Sequence, residues 1–192
     1  MVRDKEATKR KLLDAATTEF ATYGIAGARV DRIAKNAGAN KALIYAYFCS
    51  KEYLFEMVVQ EQVDLAIRTL TITPEDLPGY AGKLFDRYLE HPHLLRLMGW
   101  LRLENGFDAT PEAEVRAHAD KVAAIRDAQR AGTVPDHFDA EELLSLVVHL
   151  SILGFSSPTA TRDLVVRAVG RIVGAEGRFP RMTCEESVLH RV

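Results

Sequence analysis

Cysteine is almost missing from this chain: two residues in 192, Cys49 and Cys184, too few for a disulfide framework or a zinc cage. A membrane-crossing run is missing too. The longest uncharged stretch is 143–161, and its apolar part stops at Phe155, before Ser156-Ser157-Pro158, which is too short for a bilayer. No leader is expected, because Met1–Lys11 is charged throughout and has no apolar core. With only 12 Gly and 7 Pro and an ordinary 47% of hydrophobic residues, collagen-like and disordered classes are excluded. There is no Gly-rich phosphate loop, nucleophile elbow, metal-ligand motif or pair of catalytic carboxylates. The expectation is a reduced, soluble, cytoplasmic protein that is not an enzyme and holds no cofactor and no metal. His91-Pro92-His93 reads as the loop before a helix, and Cys49 as an ordinary thiol.

What is present is a division of charge. The formal net charge is −2, yet residues 1–51 carry a local +5 and residues 52–192 a local −7. A basic head on an acidic body points to a polyanionic partner for the first quarter of the chain.

Apolar spacing is helical nearly everywhere. Leu12, Leu13, Ala16 and Phe20 form one stripe, stopped by Gly24. A short segment Val30–Ala37 ends at Gly38, and another starts after Asn40. A long helix runs from Ser50 to about Leu70, and Tyr80–Glu90 follows. Leu94, Leu97, Met98 and Leu101 mark a helix that can begin at Pro92. Val115, His118, Val122 and Ile125 lie on a helix that stops near Gly132. Asp139 is a suitable N-cap for an apolar helix through Gly154, and Thr161 for a last one at Leu164–Val173. The only β-branched stretch, Thr69–Thr73, is too isolated to pair. The expected fold is all-α with about nine helices, in segments 1–50 and 51–175 followed by a polar tail, 176–192.

Val30–Tyr47 carries the most information. A helix-turn-helix needs small residues where its helices touch, a turn residue tolerant of positive φ, and a few apolar anchors. Ala34 and Ala37, Gly38, and Ile33 and Ile44 supply them. Asn40 is a good N-cap for the second helix, whose free N–H groups suit an anion. Lys41 and Tyr45 fall one turn apart on one face, with Leu43 and Tyr47 beside them and Lys51 just beyond. Such a face suits a duplex: Lys meets phosphate or guanine, and Tyr reaches phosphate, base edges or thymine methyls.

Residues 8–59 closely resemble the DNA-binding domain of the TetR family of transcriptional regulators. The matching pieces are the A-A-x-x-x-F-x-x-x-G end of the first helix, the I-A-x-x-A-G turn and the L-I-Y-x-Y-F-x-S-K-E-x-L junction. The resemblance implies a three-helix head, with helices near 8–23, 30–37 and 41–47. It also implies a fourth, connecting helix and an all-α body that binds small ligands and dimerises through its last two helices. Lys41, Ala42, Leu43, Tyr45 and Tyr47 match positions that face double-stranded operator DNA. Lys51 matches a phosphate-binding basic residue, and Thr8 and Arg29 sit at helix starts that approach the backbone. Arg29 stands where Thr or Ser often caps the second helix. Leu43 stands where relatives carry Thr or Ser, which restricts readout there to an apolar contact such as a thymine methyl.

For the body this implies an apolar effector cavity near Phe55, Tyr88, Leu94, Met98, Trp100, Leu101 and Val122, with His118 or His149 as polar anchor. A homodimer seam is expected on Leu143, Leu146, Val147, Leu150, Leu164, Val165, Ala168 and Ile172, with Gly154 allowing close approach. The reading is a ligand-responsive regulator, most simply a repressor. A helical interaction module with an acidic partner and a ligand-binding protein with an idle head remain as alternatives.

Overall fold

The computed structural model describes residues 2–106 and 111–174; the expected tail 176–192 lies outside them. Ten α-helical segments follow one another: α1 (Val2–Gly27), α2 (Val30–Asn36), α3 (Lys41–Phe48), α4 (Lys51–Thr69), α5 (Leu77–Glu90), α6 (His93–Asn105), α7 (Glu112–Arg130), α8 (Ala140–Ser151), α9 (Leu153–Ser156) and α10 (Arg162–Ile172). A 3-10 turn at Pro74–Asp76 precedes α5. Nine of the ten are longer than a single turn, and no strand occurs among the described residues. The all-α expectation holds. Among the described residues no helix is long and apolar enough to cross a membrane.

Helix starts follow the caps. Asn40 Oδ1 accepts the Leu43 N–H at 3.0 Å, Ser50 Oγ that of Tyr53 at 3.0 Å, and Thr161 Oγ1 that of Leu164 at 3.2 Å. Asp139 and Glu142 form a reciprocal capping box at the head of α8. Each satisfies amide donors that the first turn leaves over, worth about 1 kcal/mol apiece. Two differences from the sequence reading concern glycines. Gly24 does not end α1; it breaks it at φ 66°, ψ −176°, and helical residues resume to Gly27. The helix expected to run through Gly154 stops instead at Ser151, whose buried hydroxyl donates to the carbonyls of Val147 and Ala81. The bend leaves Gly154 where the Phe85 ring occupies the space a Cβ would take.

The described residues pack as two compact units, the first formed by those within 2–71 and 87–121 and the second by those within 72–86 and 122–174. α4 and α6 are built into the same unit as the first three helices.

In the first unit, Phe20 and Phe55 meet edge to face at 5.2 Å in a core with Leu12, Ile33, Ile44, Phe48, Leu54 and Leu97. Each such buried side chain contributes about 1.5–3 kcal/mol of transfer free energy. α1 packs against α2, α4 and α6. The indole of Trp100 lies 2.9 Å from the point where a Cβ on Gly24 would sit, so the break in α1 is the seat for a ring from α6. The second unit buries Leu77, Tyr80, Leu84 and Phe85 of α5 with Ile125, Leu144, Val147, Val165 and Val169. Gly82 lets Val166 and Arg162 approach α5 closely, and Arg162 Nε donates to Asp86 at 2.8 Å. Burial pushes the Tyr80 phenol up to about 12.

Candidate nucleic-acid interface

The interface is framed from inside. Glu19 of α1 is buried, and its Oε1 accepts from the Arg29 backbone N–H at 2.8 Å. The same carboxylate receives Arg32 Nε at 2.8 and 3.1 Å and Nη2 at 2.5 Å. Nη2 also reaches the Gly27 carbonyl at 3.1 Å, and the guanidinium lies 4.1 Å above the Tyr23 ring. Hydrogen bonding to Glu19 raises the Arg32 pKa further above its ordinary value. Arg29, the N-cap of α2, makes no side-chain cap bond of its own, and its backbone N–H is satisfied by Glu19 from the neighbouring helix. A carboxylate at a helix N-terminus also suits the dipole.

On this frame α2 and α3 form the outer face. Lys41, Ala42 and Tyr45 are exposed, Tyr45 by 44%. Leu43 and Tyr47 are partly buried and pack back on the core, so the sequence-expected reading surface divides into an open row and an inward one. Tyr47 also leans on Phe48, ring centroids 6.1 Å apart. Lys41 Nζ is 3.2 Å from Asp31 Oδ1. Lys51 Nζ donates to the Ile25 carbonyl at 2.7 Å, tying the start of α4 to the end of α1. Thr8 is partly buried near the start of α1, and Arg29 is exposed. A groove of about 450 Å³ brings Arg29, Asp31, Lys41, Tyr45, Cys49 and Lys51 together. Cys49 leaves α3 at φ 59°, with Ser50 N–H bonded to Phe48 O at 2.5 Å, a tight γ-turn between α3 and α4.

Known proteins share the sequence and fold that carry this face. Residues 12–58 match the family described as "Bacterial regulatory proteins, tetR family", and residues 76–171 match "Tetracyclin repressor-like, C-terminal domain". The HTH-type transcriptional repressor SCO4008 of Streptomyces coelicolor is 46% identical over 85% of this chain and 86% of its own length. The chain belongs to the TetR family. The HTH-type transcriptional repressor NicS of Pseudomonas putida is 30% identical over 68% of the chain and 66% of its own length. The crystal structure of the transcriptional regulator SCO4942 from Streptomyces coelicolor covers 86% of the chain and 97% of its own, at 35% identity and TM-score 0.77. This TetR-family chain is a helix-turn-helix DNA-binding transcriptional regulator, not an enzyme.

The residues expected to hold an effector are divided between the two units. Phe55 and Leu101 are buried in the core of the first unit, with Met98 and Trp100 packed against it. Leu94 is buried, while Tyr88 and His118 are half-buried in the same unit. Val122 is interior to the second unit. His149 also belongs to that unit but is exposed, its Nδ1–H donating to its own helix at Ser145 O, 2.7 Å away. Of the expected dimer seam, Leu143, Val147 and Val165 are buried within the second unit. Leu146, Leu150, Ala168 and Ile172 are half-exposed and Leu164 is exposed.

Sequence reasoning missed Glu19, Arg32 and Asp31. Glu19 is thirteen residues from Arg32, with a turn between them. The hint available was an acidic residue in an otherwise apolar face, next to Phe20.

Proposed function

We propose that this TetR-family regulator is a cytoplasmic repressor that binds a palindromic operator as a homodimer and is released by a small molecule held in its helical body. The observation that carries the reading is the groove where Arg29, Lys41, Tyr45 and Lys51 surround the exposed face of α3. Cationic groups at its rim suit phosphates, and a tyrosine one turn from a lysine suits a base edge. One eight-residue helix buries too little for tight specific binding, so two heads reading two half-sites are needed. The outward residues of α8 and α10, Leu146, Leu150, Leu164, Ala168 and Ile172, supply an apolar stripe for the seam. In function, residues 1–50 are the reading head and 51–175 the ligand-binding and dimerising body. The relatives named as repressors support the direction of control.

α4 is an unbroken helix with neither Gly nor Pro over Lys51–Thr69, so movement of the body reaches the heads without slack. A ligand that favours the non-binding arrangement by about 1.4 kcal/mol lowers operator affinity tenfold. An apolar effector within the first unit, among Phe55, Tyr88, Leu94, Met98, Trp100 and Leu101 with His118 as polar anchor, remains part of the proposal. The test selects bound duplexes from a random pool and measures the mass of the complex. Enriched inverted half-sites bound by two chains support the reading; enrichment of no sequence, or a complex with one chain, refutes it.

A further inference from the structure

Lys41 is the first residue of α3 and a cation in the groove, yet it is not a free cation. Its ammonium lies 3.2 Å from Asp31 Oδ1 and 3.4 Å from Oδ2, and Asp31 lines the same groove. The pair is open to water, with side-chain exposures of 52% and 75%, so it adds little to stability. A carboxylate is also an odd thing to place where a polyanion docks. Arg29, at the same groove, is exposed with no carboxylate on its guanidinium among the described residues.

We propose that Asp31 is a specificity-determining residue that converts Lys41 from a phosphate binder into a base reader. An ammonium has three protons. One is engaged by Asp31, and the other two stay available for neutral acceptors such as guanine O6 and N7. Toward a phosphate the pair looks different. Its net charge is near zero, and the carboxylate repels the incoming anion. Asp31 therefore leaves the sequence-dependent contact in place while removing most of the sequence-independent attraction, which otherwise falls to Arg29 and Lys51. The argument rests on the proposed operator reading.

The test is Asp31→Asn, which keeps a side-chain oxygen beside Lys41 and removes only the charge. The probes are a duplex selected from a random pool by the wild-type protein and a scrambled duplex of the same composition. Expected is about five- to tenfold tighter binding to the scrambled duplex, with operator binding improved no more than about twofold. The salt dependence on the scrambled duplex should steepen by about one per head. In a Lys41→Ala background the same change should leave the ratio of the two affinities untouched. Equal tightening on both duplexes would overturn the proposal, leaving Asp31 a simple repulsive charge; so would no change on either. If the wild-type protein enriches no duplex at all, the operator reading itself has failed, which these outcomes keep separate.

Discussion

Asp31 and Arg32 are neighbours on α2, and each makes an ion pair of a different kind. Arg32 turns inward to Glu19, whose side chain is only 3% exposed. Asp31 turns outward to Lys41, and both stay in water. A carboxylate taken out of water has to be fully satisfied, and Glu19 is: it holds a guanidinium and a backbone N–H together. A pair left in water has little to lose by changing partners. The inner face of the head is thus a fixed frame, and the outer face keeps its charged groups open to water.

Substitutions should separate these faces. The largest effect is expected from Gly24→Ala, on the inner face. The new Cβ would meet the Trp100 ring at 2.9 Å in a backbone region that only glycine occupies easily. A loss on the order of 3 kcal/mol in urea unfolding follows from strain plus overpacking; an unchanged midpoint would show that the seat is soft. Glu19→Ala should come next, at about 2 kcal/mol, because the Arg29 N–H is left unpaired. Operator affinity should fall with it and recover when the fold is stabilised by osmolyte. Tyr45→Ala, on the outer face, should leave unfolding unchanged and cost about 1–2 kcal/mol of specific DNA binding. Equal weakening on a scrambled duplex would place Tyr45 on the phosphates instead. Lys51→Met is the smallest and the most discriminating, since Lys51 belongs to both faces. Losing the bond to Ile25 O should cost about 1 kcal/mol of stability, while a lost phosphate contact should flatten the salt slope by about one per head. A stability loss with an unaltered slope would move Lys51 wholly to the frame.

The same division explains what could be read in advance. Asn40, Asp139 and Thr161 were legible as caps because a cap is a local bond, from one residue to the amide three places on. Lys41 and Tyr45 were legible as exposed because the helix period puts them on one face, away from Ile44. His149 shows where that signal ends. It sits among apolar residues in sequence, yet in the fold it bonds to its own helix and faces water. Periodicity tells which stripe is covered, but not by what. Leu143 and Val147 fit a seam between two chains as well as an interior, and the structure puts them inside. Glu19 and Arg32 carry no local mark, since their meeting depends on a turn that the broken end of α1 must first make.

Trp100, seated in the break at Gly24, has a consequence of another order. The chain has one tryptophan, and it lies against the backbone where α6 crosses α1. Indole emission shifts in colour with the water around the ring and dims against nearby peptide groups. Every photon excited selectively from this protein's indole therefore originates at that single crossing, between two helices of the first unit. The protein carries its own optical gauge of that helix crossing, with no label attached.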